Sequence, residues 1–198
     1  MSAIAIRHAD TPAEWRLPYR GTVGMACLII AEAAIFTIFV VAYLFYVGKS
    51  LSGPLPNQVL HAPIVLTICL LSSSLTIHLA VAALRDARAR AFLLWWAFTI
   101  ALGAVFLGGT AREWHHLIYD EGLTIRTNLF GTSYYALVGL HAFHVTVGLL
   151  GLSTVLLLAL RRHVGREHAG RLDVFSLYWH FVDAVWVVVF LVVYVIGR

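Results

Sequence analysis

Apolar residues gather in five long runs, at about 22–47, 62–84, 91–110, 133–160 and 175–196, with short polar stretches between them. Roughly 20 residues of helix cross the hydrocarbon layer of a bilayer, so each run is long enough to span, and the fourth is long enough to tilt or project. With no water in that layer, a backbone must satisfy its own hydrogen bonds, which makes these runs helices. The breakers fall between them: Gly53-Pro54-Leu55-Pro56 after the first, Gly122 and Gly131 before the fourth, Gly165 and Gly170 before the fifth. No internal repeat or low-complexity tract interrupts the series. The pattern predicts an all-α membrane protein, a bundle of five transmembrane helices over 22–198, preceded by a polar segment at 1–21.

Composition agrees with the pattern. Of 198 residues 61% are hydrophobic and 12% charged, and the mean hydropathy is +0.85. Soluble domains carry about 25% charged residues, so a soluble enzyme is excluded. The net charge of +4 needs no nucleic acid to explain it, because the basic residues sit in loops. Cys27 and Cys69 both lie within apolar runs and are expected as buried free thiols, with neither a disulfide nor a CxxC metal site. The first apolar run is too long for a signal-peptide core and lacks a small-residue cleavage site, so it is expected to be retained. Lys and Arg set the orientation. Arg7, Arg16 and Arg20 precede the first run, Arg85, Arg88 and Arg90 fill the second loop, and Arg161, Arg162, Arg166 and Arg171 fill the fourth. Only Lys49, Arg112, Arg126 and Arg198 fall on the other side. The N-terminus is therefore expected in the cytoplasm and the C-terminus outside.

The candidate chemistry lies in polar residues inside the runs. Glu32 stands mid-run, where inserting an acid costs about 2.5–3.5 kcal/mol. It reads either as a neutral acid hydrogen-bonded to another helix or as a proton-handling or gating group. His78 follows Ser72-Ser73-Ser74, small hydroxyl residues that suit a close helix contact. Glu113 and His116 have the i, i+3 spacing of a di-iron carboxylate motif. His141 and His144 share one helix face, as do His180 and Asp183, and Gly148 and Gly151 invite close packing. A second Glu-x-x-His is missing, so no bound metal is expected and hydrogen bonding between helices or to a lipid headgroup is the preferred use. Arg161, Arg162, His163 and Arg166 could hold anionic lipid headgroups on the cytoplasmic side, or simply express the positive-inside bias.

Tyr178-Trp179-His180-Phe181-Val182-Asp183-Ala184-Val185-Trp186 resembles the closing signature of subunit III of the heme–copper oxidases. Gly139-Leu140-His141-Ala142-Phe143-His144-Val145 is similar to the double-histidine motif of that family's preceding helix, and Phe130-Gly131-Thr132-Ser133-Tyr134-Tyr135 to the opening of the same helix. Thr110-Ala111-Arg112-Glu113-Trp114 resembles a helix end with glutamine and glutamate, and Ala31-Glu32-Ala33 the stretch that holds the family's buried carboxylate. The match runs from 22 to 198. It departs at Thr110, where glutamine is frequent, at Ala142 in place of glycine, and in having five helices, as the short bacterial forms do, where other members have seven.

The resemblance implies a non-redox accessory subunit in the bacterial cytoplasmic membrane. Its complex would take electrons from cytochrome c or quinol, reduce oxygen to water and translocate protons. Heme and copper would belong to subunits I and II, with subunit I the main contact, and this chain would hold phospholipid but no cofactor. Glu32 would be the buried carboxylate, while His78, Glu113, His141, His144, His180 and Asp183 would shape the bundle and its lipid cleft. Three alternatives remain open: an accessory subunit of a nitric oxide reductase system, a standalone membrane metalloenzyme built on His115, His116, His141, His144 and His180, and a proton-coupled transporter using Glu32.

Overall fold

A computed structural model describes residues 20–50 and 53–197. The chain forms α1 (Arg20–Tyr46), a single turn α2 (Pro56–Val59), α3 (Ile64–Arg85), α4 (Ala89–Tyr119), α5 (Leu129–Leu160) and α6 (Ala169–Phe190). A wider π turn, Leu191–Ile196, continues α6. There are five helices long and apolar enough to cross a membrane, α6 counted with its flanking turns, and no strand among the described residues. Residues 1–19 and Arg198, which entered the charge count, lie outside the described residues.

Two helices are longer than the apolar runs that announced them. α4 continues nine residues past Thr110, with Arg112, Glu113 and His116 on its last turns. α6 begins six residues before Phe175, and its polar first turns are held by an ion pair between Arg85 of α3 and Asp173 at 2.7 Å. At the start of α5, Asn128 caps the helix by accepting a hydrogen bond from the Gly131 amide at 2.8 Å.

α3 and α4 form the most extensive helix pair, α5 packs on α1 and α4, and α6 lies against α1, α3 and α5. Trp179 of α6 ties four helices together. Its indole N–H donates to Ser73 Oγ of α3 at 2.8 Å, and its ring fills the space left by two glycines, Gly103 of α4 and Gly148 of α5. Trp186 repeats the arrangement seven residues on, donating to Thr67 Oγ1 at 3.1 Å and packing edge-on against Phe106. Thr76 and Thr99 join α3 to α4 at 2.7 Å, and Trp96 Nε1 donates to the Leu152 carbonyl to join α4 to α5.

α1 is the least covered of the five. Only Phe36 and Tyr43 are buried on it, whereas Ile30, Ile38 and Phe45 are exposed. Among the described residues Cys27 and Cys69 are free, but Cys27 is exposed and Cys69 only partly covered, which corrects the expectation of two buried thiols. An apolar run marks residues that avoid water, and in a membrane protein lipid covers them as readily as protein does.

A methyl group at position 148 would stand 2.7 Å from the Trp179 ring, which has no flexible end to swing aside. Gly148→Ala is expected to lower stability by about 1–3 kcal/mol through overpacking. Gly108→Ala, where an added methyl meets nothing within 4 Å, should be neutral or slightly stabilising. Thermal unfolding of both variants in one mild detergent checks the pair; equal losses would contradict the Trp179 account.

Candidate functional site

Three groups of paired polar side chains and one solitary imidazole lie inside the bundle. In the first, Glu32 Oε2 of α1 lies 3.0 Å from His144 Nε2 of α5. His144 is nearly buried, with 8% of its side chain exposed, while Glu32 keeps 23% exposure at the α1/α5 edge. The other ring nitrogen, Nδ1, lies 2.8 Å from the Leu140 carbonyl one turn back. A carbonyl only accepts, so Nδ1 carries a proton. The Glu32–His144 contact therefore holds a single further proton, as carboxylic acid donating to neutral imidazole or as carboxylate accepting from imidazolium. Phe36 covers the imidazole, ring centroids 5.0 Å apart, and Tyr178 Oη donates to the His144 carbonyl at 3.1 Å.

The second group joins α3 to α6. Ser74 Oγ donates to Asp183 Oδ2 and lies 2.9 Å from His180 Nδ1. Serine, histidine and aspartate also make up a hydrolytic triad, but there the histidine stands in the middle. Here the serine does, with the carboxylate and the imidazole on either side of it, so the order of a hydrolytic triad is not reproduced. Asp183 is buried, and its Oδ1 has no partner among the described residues.

In the third, Glu113 Oε1 of α4 accepts from Tyr194 Oη of the π turn at 2.9 Å and from Tyr134 Oη of α5 at 3.4 Å. This carboxylate ties together the ends of three segments.

His141 stands apart. Fully buried, it lies among the rings of Trp186, Phe106 and Phe36, with centroids at 5.0, 5.8 and 6.4 Å, and neither ring nitrogen has a partner among the described residues.

The sequence brought Glu32, Glu113, His141, His144, His180 and Asp183 forward, and the structure places all of them within the bundle. His78 is exposed on α3 instead of packed in the bundle. His115 and His116 are exposed, and His116 pairs with Asp120 at 2.6 Å on its own helix. Among the described residues no three or more His, Cys, Asp or Glu side chains converge as a metal ion would require. Arg161, Arg162, His163 and Arg166 are exposed in the turn after α5. Sequence reasoning missed Ser74, Tyr134 and Tyr194 as partners. The serine run was visible; which serine faced a carboxyl depended on helix register.

The sequence profile of the cytochrome c oxidase subunit III family matches residues 20–198. The chain belongs to that family. Subunit 3 of the cytochrome c oxidase of Synechocystis sp. is 38% identical over 177 residues, 87% of this chain and 74% of that protein. Its counterpart in Alkalihalophilus pseudofirmus is 35% identical over 84% of this chain and 82% of the relative. Quinol oxidase subunit 3 of Bacillus subtilis is 30% identical over 88% and 86%. As a subunit III chain, this one carries its closing tryptophan-rich signature on α6 and its double-histidine motif on the α5 face toward α1 and α6.

The Glu32 pair distinguishes two substitutions. Glu32→Gln keeps a donor for His144 Nε2, so assembly and initial turnover are expected close to wild type. Glu32→Ala leaves a buried imidazole nitrogen unbonded, at a cost of about 1–3 kcal/mol. Yield and thermal stability of the purified complex check this; loss of the complex with glutamine would contradict it.

Proposed function

We propose that this chain is the non-redox accessory subunit of a respiratory heme–copper terminal oxidase. In this reading it supports oxygen reduction to water, coupled to proton translocation, by holding phospholipid, stabilising the complex and aiding proton and oxygen access. Membership of the family supports the reading, and one feature of the fold carries it. α1 is a membrane-length helix left mostly uncovered, and at its edge Glu32, an acid deep in the apolar layer, remains partly exposed. Carboxyls at that depth are costly against lipid and face protein or polar cavities. A larger neighbour against α1 and α5 would remove that exposure. We assign this role to subunit I, with subunit II, heme and copper elsewhere in the complex.

The remaining assignments follow the same reading. The segment 1–21 would be cytoplasmic, the five helices over 22–198 would form the transmembrane domain, and the C-terminus would lie outside the bacterial cytoplasmic membrane. Arg161, Arg162, His163 and Arg166 would then face cytoplasmic-leaflet headgroups. The electron donor to the complex would be cytochrome c or quinol.

Purification through an N-terminal tag in mild detergent, followed by a reduced-minus-oxidised visible spectrum, tests the proposal. Heme bands with two co-purifying membrane subunits are the expected result. A colourless single chain, stable across several mild detergents, would overturn it in favour of an independent transporter.

A further inference from the structure

The α3/α6 group differs from the other two in placing a hydroxyl, both donor and acceptor, between a half-buried imidazole and a buried carboxyl. We propose that His180, Ser74 and Asp183 form a proton relay between the exposed α3/α6 surface beside His78 and the buried carboxyl of Asp183. This goes beyond the accessory role and does not depend on it, since it rests on the bonding of one chain.

Ser74 has one proton and stands between an imidazole nitrogen and a carboxylate. It donates to Asp183 Oδ2, so its oxygen accepts from His180 Nδ1–H. All bonds in this chain run in one direction, from imidazole to hydroxyl to carboxylate. His180 is half-buried, and its Nε2 makes no hydrogen bond among the described residues. His78, exposed on α3, stands four residues after Ser74, one turn along the same helix face. At the inner end Asp183 is 3% exposed and its Oδ1 is unbonded among the described residues, so protonating the carboxyl breaks no other contact.

The transfer balances. An acid at the α3/α6 surface, a hydronium or a lipid headgroup ammonium, gives up a proton as its own bond to it breaks, and His180 Nε2 takes it to become an imidazolium. The Nδ1–H bond breaks as its proton joins Ser74 Oγ, and the Ser74 O–H bond breaks as its proton joins Asp183 Oδ2. Imidazole is left neutral with its proton on Nε2, serine is regenerated, and the carboxylate has become the acid. The reverse sequence releases the proton to the surface.

Several other titratable groups around α6 are engaged elsewhere. On α3, Arg85 is held by Asp173 of α6 at 2.7 Å. Glu32 of α1 and His144 of α5 hold each other at 3.0 Å. His141 of α5 stacks on Trp186, and the Tyr178 hydroxyl is bonded to the His144 carbonyl. Tyr43 of α1 lies at the far end beside Gly197, and Tyr194 of the π turn bonds Glu113 of α4. His78 is the exposed titratable group one turn beyond Ser74 on α3.

Infrared difference spectra after a rapid pH jump, recorded on the assembled complex, test the relay. The signal assigned to Asp183 is the carboxyl C=O stretch that is present in wild type and absent in Asp183→Asn. That band should rise and fall with pH in wild type and in Ser74→Thr, which keeps the hydroxyl. In Ser74→Ala and in His180→Gln it should respond on the order of tenfold more slowly, or not at all. A purely structural serine would lower yield without changing the rate. Wild-type rates in both variants would overturn the proposal, as would an Asp183 signal unchanged between acid and alkaline limits. Should Ser74→Ala fail to assemble, His180→Gln decides alone: a wild-type rate overturns the relay and a slowed one supports it.

Discussion

The register between α6 and α3 is the constraint on which the interior depends. Inside a bilayer there is no hydrophobic force between helices, so close packing and hydrogen bonds must hold them. Trp179 and Trp186, seven residues apart on α6, each place an indole N–H on a hydroxyl of α3, Ser73 and Thr67. A slip of one turn would leave two buried donors unbonded, at about 1–3 kcal/mol each. The same indole ring at 179 needs glycine on both α4 and α5, so the register extends to those helices.

Once that register is set, the polar groups have little freedom. Ser74 follows Ser73 on α3, and its hydroxyl therefore meets the stretch of α6 that follows Trp179, where His180 and Asp183 stand. Gly148 receives the Trp179 ring, and one turn back along α5 His144 meets Glu32 of α1. Glu32 lies about 18 Å from the start of α1, and Asp183 about 21 Å from the start of α6, at roughly 1.5 Å rise per residue. Two acids thus sit deep in their helices, and each has an imidazole within its hydrogen-bonded group.

The five helices were legible because the length of an apolar run is itself the signal, and their number does not depend on packing. Their ends were less so. α4 carries Arg112 and Glu113 without breaking, because a helix 31 residues long extends beyond the hydrocarbon layer and its last turns can be polar. The site was legible as residues and not as partners. His141 and His144 share a face by spacing, yet one is paired with a carboxyl and the other is enclosed by aromatic rings. Spacing defines a face of one helix, whereas the partner of Glu32 lies 112 residues along the chain on another. Cys27 shows the same limit from the other side: apolar neighbours in sequence do not separate a core position from a lipid-facing one.

The two acids are bonded in ways that give them different capacities. At His144 the second ring nitrogen is committed to the Leu140 carbonyl, which accepts a hydrogen bond but cannot pass a proton on. The Glu32–His144 pair is therefore closed on the imidazole side: its shared proton moves between two atoms and any exchange must occur through the exposed edge of Glu32 itself. At His180 the second nitrogen is not tied to a carbonyl, and the serine between imidazole and acid is both donor and acceptor. That chain is open at its outer end and directional along its length. The side-chain types are nearly the same in the two places. What differs is whether a backbone carbonyl or the α3/α6 surface lies behind the imidazole, and that was decided by the register of the tryptophans.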